Sequence, residues 1–404
     1  MSDRIRTVSS LFLAVLIVAI LIMFWSATFK NPAGAVNRDF LSFALAAKIV
    51  EEDGYQHIYQ LDRQKQAMEE IINGPHQVEG GVLPFIHPPF LMPLMNWVIG
   101  PNLFNSFLAW TAVSIGVLTL CLKLSADYLI HAGWRKKSAV YLLAPLALFL
   151  PVHITLLQGQ DIIFLLLGVV IFLVALQQNR LVWGGFGLAL TTLTPHIALL
   201  LGIPLFFSKR NWFYSFVGWS LLFAIFSISL IGINGVFDYL DIIGATASAE
   251  GRTYGVNKNA MTNLIGLTLR LWPAMSSNTI STVTWGGYLI GMGSLCWLHF
   301  NYRKATAKTF VLVFAFTIPF GLFFVPHLHS HSLLLLWVPL LVWAHRRVQA
   351  HMQPLPQIAL ILLMASTLIS PLLVNALPFN WVGVFVVIFS TMALLYRALK
   401  DNPS

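Results

Sequence analysis

Asp39 is the first residue in the chain placed to do acid–base chemistry. It follows the apolar stretch 8–29 and directly precedes the helical pattern Phe40–Val50, which puts its carboxylate near a membrane surface. There it could take a proton from a hydroxyl, provided its surroundings lift its basicity. The same position suits an N-cap, because aspartate accepts hydrogen bonds from the free N–H groups of a helix start. Both roles stay open from the sequence. Three histidines, His327, His329 and His331, follow Pro326 at two-residue spacing. Such a run could serve a metal, but alternation suits a strand and no carboxylate accompanies it, so anion binding fits better and no metal is expected. An imidazole can give a phosphate a hydrogen bond or a full charge. The plain alternative is solvation of an interfacial turn.

Two further polar groups interrupt apolar sequence. Gln158-Gly159-Gln160-Asp161, with His153 before it, reads as a tight turn between two spans. A turn accounts for the glycine and leaves three polar side chains unexplained. Thr194-Pro195-His196 breaks the apolar stretch 181–207. Proline removes a backbone donor and disfavours helix at the residue before it, so the stretch is expected as two half-length helices, 181–193 and 196–207, that dip into the bilayer and return. Such a break survives in lipid only where protein or a water-filled cavity meets the freed backbone groups. The amino end of 196–207 would then aim free N–H groups at whatever fills the cavity, a setting that suits phosphate.

The elements that must position these residues follow from composition. Of 404 residues 57% are apolar and 10% charged, and mean hydropathy is +0.77, which excludes a soluble globular domain, a disordered tail and a disulfide scaffold. Windows of roughly 20 apolar residues cross a bilayer. They place spans near 8–29, 101–124, 138–157, 161–177, 211–233, 280–300, 308–325, 331–345, 355–373 and 379–396. With the broken pair this makes an all-α polytopic membrane protein of about 12 transmembrane segments in a single integral domain, 1–404. Stretch 8–29 is too long for a signal-peptide core and reads as an uncleaved anchor.

The net charge of +9 is a topology signal. With the amino end inside, cytoplasmic segments hold 16 of the 24 Lys and Arg but only Asp3, Asp127 and Asp401 among the acids. Both termini come out cytoplasmic, and no nucleic-acid partner is needed to explain the charge. Cys121 and Cys296 fall near cytoplasmic ends of spans, where thiols stay reduced and no disulfide is expected. Two outer segments are too long to be mere connections. The first, 30–100, shows helix patterns at 40–53, ended by Gly54, and 60–73, ended by Gly74, followed by His87-Pro88-Pro89. The second, 234–279, carries Arg252, Tyr254, Asn257, Lys258 and Asn259.

Taken in order, Asp39-Phe40, Tyr59 in Gln56-His57-Ile58-Tyr59, His87-Pro88-Pro89, Gly159-Gln160, Thr194-Pro195, Asn257 and Pro326 before the histidines resemble glycosyltransferase family 87. That family comprises integral membrane enzymes of the GT-C class that use polyprenyl-phosphate-linked sugars. The resemblance covers roughly residues 35–345. It implies an outward-facing site with Asp39 as general base and with His331, then His329, near the donor phosphate. Two departures stand out: the family usually has Lys-Pro at Thr194-Pro195, and Asn where this chain has Asp161.

The function so implied is an inverting transfer of a monosaccharide, mannose-like, from a polyprenyl-phosphate donor to a lipid or glycan acceptor at the outer face of a cell inner membrane. His331, His329, His196, Arg252 and Lys258 are the candidates for the phosphate, and His327, Tyr59, His87, Gln160, Asp161 and Asn257 for the substrates. The apolar helix 40–53 is expected to lie flat on the membrane beside the site. A lipid or sugar transporter is the rival reading, since broken helices and intramembrane polar groups also occur in transporters.

Overall fold

A computed structural model of the chain describes residues 3–36, 38–73, 83–247, 261–349, 355–368 and 381–400. Among them every regular element is a helix. Helix α1 (Asp3–Lys30) presents Leu11, Phe12, Val15 and Ile22 outward, an apolar surface that water would not tolerate but lipid does. After the short α2 (Pro32–Val36) come α3 (Phe40–Asp53), α4 (Leu61–Ile72) and α5 (Met92–Val98). The long α6 (Leu103–His131) leads into α7 (Lys136–Ala147), α8 (Leu150–Gln158) and α9 (Ile162–Gln178). Then follow α10 (Leu181–Leu190), α11 (Pro195–Gly202), α12 (Leu205–Ser208) and α13 (Arg210–Ala247), the last bent at Gly232. The chain continues through α14 (Leu264–Leu271), α15 (Ser277–Asn301), α16 (Ala307–Phe324), α17 (Trp337–Gln349), α18 (Leu355–Leu368) and α19 (Trp381–Lys400).

Among the described residues five helices are long and apolar enough to cross a bilayer: Thr7–Lys30, Leu103–His131, Arg210–Ala245, Ala307–Phe324 and Val382–Lys400. This is a membrane protein. The expected span 138–157 is instead the pair α7 and α8, bent by 54°. Pro151 explains the bend, because it cannot donate to the carbonyl of Ala147 four residues back. The ring of His153 reaches that freed carbonyl at 3.2 Å. The expected span 331–345 begins as a 3₁₀ turn, Ser330–Leu336, and becomes α-helical only at Trp337, with Pro339 in the first turn where its missing N–H costs nothing.

The centre of the molecule is α9, buried along nearly its whole length against α6, α10, α16 and the Ser330–Leu336 turn. Glycine lets α10 approach it: a Cβ on Gly168 would stand 2.3 Å from the carbonyl oxygen of Gly187. Such small-residue contacts bring helix backbones together where lipid supplies no hydrophobic drive. The pair α10 and α11 is broken where expected, with a 3₁₀ turn at Thr191–Leu193 and Thr194 out of helical geometry (φ −126°, ψ 87°).

Helix α3 departs from the expectation of a surface-lying helix. Phe40 to Ala47 and Ile49 are all buried in protein, so its apolar character reflects enclosure on every side. Its carboxyl end and α4 are tied by Arg63, which pairs with Asp53 at 2.5 Å and with Glu52, while Gly54 turns the chain with φ +90°. Helix α4 ends on Asn73 in the left-handed conformation; Gly74, the expected cap, lies outside the described residues.

Candidate active site

The polar groups singled out by sequence come from five separate elements, and the fold gathers most of them at one end of the bundle. Asp39 opens α3 without capping it: its carboxylate makes no hydrogen bond to the helix, whose first turn is met by backbone carbonyls instead. Gln160, in the turn between α8 and α9, donates its amide to Asp39 Oδ2 at 2.7 Å. His331 Nδ1 stands 3.8 Å from the same oxygen and 3.2 Å from Gln158 Oε1. Oδ1 accepts no hydrogen bond among the described residues. Burial pushes the Asp39 carboxyl above the ordinary carboxylate range; the Gln160 hydrogen bond and the charges of His87 and Arg38 pull the other way without cancelling it.

The turn that carries Gln160 is held from several directions. Gly159 has φ +68°, and a Cβ there would meet Phe40 Cβ at 2.7 Å, directly beside Asp39. Trp110 donates its indole N–H to the Gly159 carbonyl at 2.8 Å, and Arg38 reaches the Leu157 carbonyl at 3.1 Å. Neither Trp110 nor Arg38 was marked by sequence reasoning. A buried tryptophan needs a partner for its N–H, but only the fold shows which carbonyl it finds.

His87 meets the same turn at its next residue, Asp161. Its Nδ1 is 3.0 Å from Asp161 Oδ2, its ring packs against Phe43 and Phe85, and it also hydrogen-bonds the backbone of Leu193 at the break between α10 and α11. Burial alone would lower the pKa of this ring, but Asp161, joined by Asp39 and the Leu193 backbone, raises it overall. Asp161 and the backbone of Leu193, the residue before Thr194, thus both hold this one imidazole. The loop bearing His87 is fixed by Tyr59, whose hydroxyl donates to the His87 carbonyl at 2.5 Å, and by Gln64, which exchanges hydrogen bonds with Phe85 at 2.9 and 3.1 Å. Tyr59 is therefore a support for this loop, and its hydroxyl is already engaged.

His196, at the start of α11, is half-buried, and its Nε2 has no hydrogen-bond partner among the described residues. Its ring meets the backbone of His327, and Tyr288 donates to its carbonyl at 3.0 Å. His327 and His329 follow in extended and irregular backbone with ring centroids 4.4 Å apart, and His329 and His331 are 5.7 Å apart. Burial holds the His327 ring well below the ordinary imidazole range, with His329, His196 and His87 adding to the effect. This histidine segment is pinned by Asn263, which donates to the Val325 carbonyl at 2.6 Å, and by Thr262, whose N–H reaches the Leu328 carbonyl at 3.0 Å. Asn263 also caps α14, its side-chain oxygen accepting from the Gly266 N–H at 3.0 Å. A small apolar cavity of about 10 Å³ is lined by Ile197, Leu200, Leu201, Gly321, Val325 and Leu335. No group of three or more His, Cys, Asp or Glu among the described residues is arranged to hold a metal ion. Arg252, Asn257 and Lys258 lie outside the described residues.

The opposite end of the bundle carries the basic turns. Lys209 contacts the Ala305 carbonyl at 3.2 Å, and Arg346 contacts that of Lys308 at 2.7 Å, which brings the α12–α13, α15–α16 and α17 ends together.

The model of glycosyltransferase family 87 matches residues 85–326, more than half of the chain. The chain belongs to this family. It is a membrane glycosyltransferase, and that membership decides against the transporter reading. The matched segment contains His87, Gln160, Asp161 and His196, while Asp39, Tyr59 and the three histidines lie just beyond its ends. No curated protein and no solved structure gives a significant match to the chain.

Proposed function

We propose that this glycosyltransferase moves a monosaccharide, a mannose-like hexose, from a polyprenyl-phosphate donor to a hydroxyl of a lipid or glycan acceptor, with inversion and with Asp39 as general base. The observation that carries this reading is the Asp39 carboxylate, free of capping duty, about 30% exposed, oriented through one oxygen by Gln160 and facing His331. A half-buried carboxylate of raised basicity is suited to take the acceptor proton as the hydroxyl attacks the anomeric carbon and the bond to phosphate breaks. The phosphate leaves on its lipid. His331, His329 and the unpartnered Nε2 of His196 are its nearest candidates for hydrogen bonds, and preorganised donors of this kind supply much of the stabilisation of a departing anion. Arg252 and Lys258 remain candidates from the second long loop.

Such a catalyst, of GT-C type, needs a polar site at one interface with lateral access from lipid. The gathering of basic turns at the opposite end supports a cytoplasmic location for that end and for both termini. In a bacterial inner membrane the site then faces the periplasm.

The test is direct. Purified Asp39→Asn protein, supplied with a polyprenyl-phosphate hexose and a hydroxyl acceptor, is expected to bind donor and to lose transfer; near-normal turnover would remove Asp39 from the chemistry. Donors carrying mannose, glucose or a pentose, compared on the parent protein, identify the sugar.

A further inference from the structure

One ring nitrogen of His331 is already committed to protein. Nδ1 stands 3.2 Å from Gln158 Oε1 and 3.8 Å from Asp39 Oδ2. The Asp39 oxygen is itself an acceptor, since the Gln160 amide donates to it at 2.7 Å. Two oxygens thus face one nitrogen, where a lone pair would be repelled by both, so Nδ1 carries the proton. Turning the Gln158 amide over to donate would leave a ring lone pair against the Asp39 oxygen. The neutral ring therefore has its lone pair on Nε2, which meets no hydrogen-bond partner among the described residues. Its side chain is 13% exposed, so a ligand can reach it. The backbone is held as well, because the Thr155 hydroxyl reaches the His331 carbonyl at 3.5 Å. A lone pair is the wrong group to offer a phosphate oxygen. That oxygen needs an N–H, and Nε2 gains one only when the ring takes a second proton.

We propose that Gln158 is a positioning residue that holds the His331 proton on Nδ1, so that the ring meets the donor phosphate only as an imidazolium and donor binding takes up a proton from solvent. This rests on the reading of a lipid-phosphate sugar as donor. Without a ligand the ring is neutral: burial first, then the charge of His327, hold it down to about 3, with His87 adding to the fall and Asp161 opposing it. A phosphate at Nε2 supplies the opposite charge that lets the second proton stay. The groups facing the ring are Asp39, with Arg38 beside it, from the start of α3, His87 from the loop before α5, Asp161 from the α8–α9 turn, and His327 and His329 from its own segment. Helix α9 has no ionisable residue, and His153 of α8 is turned to the Ala147 carbonyl. Those of α16 and α17, Lys308, His345, Arg346 and Arg347, belong to the opposite end. The sign follows from linkage. A ring whose pKa is raised by the ligand leaves donor affinity flat above the raised value and strengthens it as pH falls through that value, by up to about tenfold per pH unit.

Calorimetric titration with polyprenyl-phosphate mannose from pH 5 to 8, in two buffers of different ionisation enthalpy, counts the protons. Expected is uptake that grows toward one proton per donor as pH falls, with affinity rising in step. Asp39 is the competing site for that proton, so the uptake should persist in Asp39→Asn and vanish in His331→Gln. In Gln158→Leu the neutral ring is released to carry its proton on Nε2 and donate, and both the uptake and the pH dependence should shrink. Nitrogen NMR of histidine-labelled protein, with His331 assigned by its loss in His331→Gln, reads the ring directly: the proton on Nδ1 without donor, on both nitrogens with it, and retained on Nδ1 in Gln158→Glu, which keeps an oxygen there. A proton on Nε2 alone in the unliganded parent overturns the proposal. So does uptake that disappears in Asp39→Asn but survives in His331→Gln, or sugar transfer with no proton taken up on binding. Should Gln158→Leu fail to fold, the parent spectra with and without donor decide. If the parent neither binds this donor nor transfers its sugar while the Nδ1 proton is seen, the functional reading has failed and the hold of Gln158 on the ring stands.

Discussion

Two sets of histidines lie at opposite ends of the bundle, and burial and partners separate them. At the basic end His299 is fully buried in α15 with both ring nitrogens met by hydroxyls, Ser208 at 2.8 Å and Thr317 at 2.9 Å. His345 there accepts the indole N–H of Trp134 at 2.8 Å, with Tyr128 against its ring. At the other end His87 pairs with a carboxylate, His331 looks toward another, and His196 keeps an unpartnered Nε2. The rings at the basic end are buried, while His87, His196 and His331 are only partly so. What marks the site is rings set beside acids, because a carboxylate next to an imidazole can share or pass a proton, while the rings at the basic end meet only neutral partners.

The comparison is broken most severely at Asp39. Asp39→Asn keeps size and the Gln160 contact but removes the base, and transfer is expected to fall by about 10²–10⁴-fold with donor binding retained, as measured by single-turnover assay and lipid-binding titration. The pH profile carries the sign. The base must be ionised, burial displaces its titration above the ordinary carboxylate range, and so kcat/KM should rise with pH through a limb that lies above that range. A limb at the pH of a free aspartate would show that Asp39 is not desolvated in the working enzyme.

His331→Ala tests the other wall of the pocket. Loss of a hydrogen bond to a charged phosphate is expected to reduce kcat/KM for the donor by about 10- to 100-fold, with little change in acceptor KM. If acceptor kinetics change and donor kinetics do not, His331 faces the acceptor.

Locally encoded features were readable before any fold was known, and non-local ones were not. The run Phe40–Asp53 forms the helix expected at 40–53, and the break at Thr194-Pro195 falls where proline demands it. Hydropathy, by contrast, cannot tell a lipid neighbour from a protein one, which is why α3 reads as a surface helix while it is enclosed. Nor does a hydropathy window register a bend, and α7 and α8 read as one span although Pro151 stands in plain view. The pairing of His87 with Asp161 joins residues 74 positions apart. Each residue was legible as polar in an apolar setting; their partnership exists only in the fold. Asp39 was legible as either cap or base, and the absence of a capping hydrogen bond decides only the first.

Gly159→Ala should produce a smaller loss. The residue sits at φ +68°, where a side chain costs about 1–2 kcal/mol, and its Cβ would press on Phe40, the neighbour of Asp39. A shift of Asp39 by a fraction of an ångström is expected to lower kcat by about tenfold with donor KM nearly unchanged. Equal losses in kcat and donor affinity would mean that the turn, rather than Asp39 alone, has moved.

The smallest effect on chemistry is expected from the opposite end. His299→Leu leaves the Ser208 hydroxyl without its ring partner, while Thr317 still donates to the Val313 carbonyl at 2.9 Å. One buried hydroxyl left unmet costs about 1–3 kcal/mol, which thermal unfolding in detergent would register as a lower midpoint. Transfer per folded molecule should not change, because nothing in this network reaches Asp39 or His87. If His299→Leu instead reduces turnover at full stability, the two histidine sets are coupled through α15 and α16, and the distinction between rings beside acids and rings beside neutral partners would have to be drawn elsewhere.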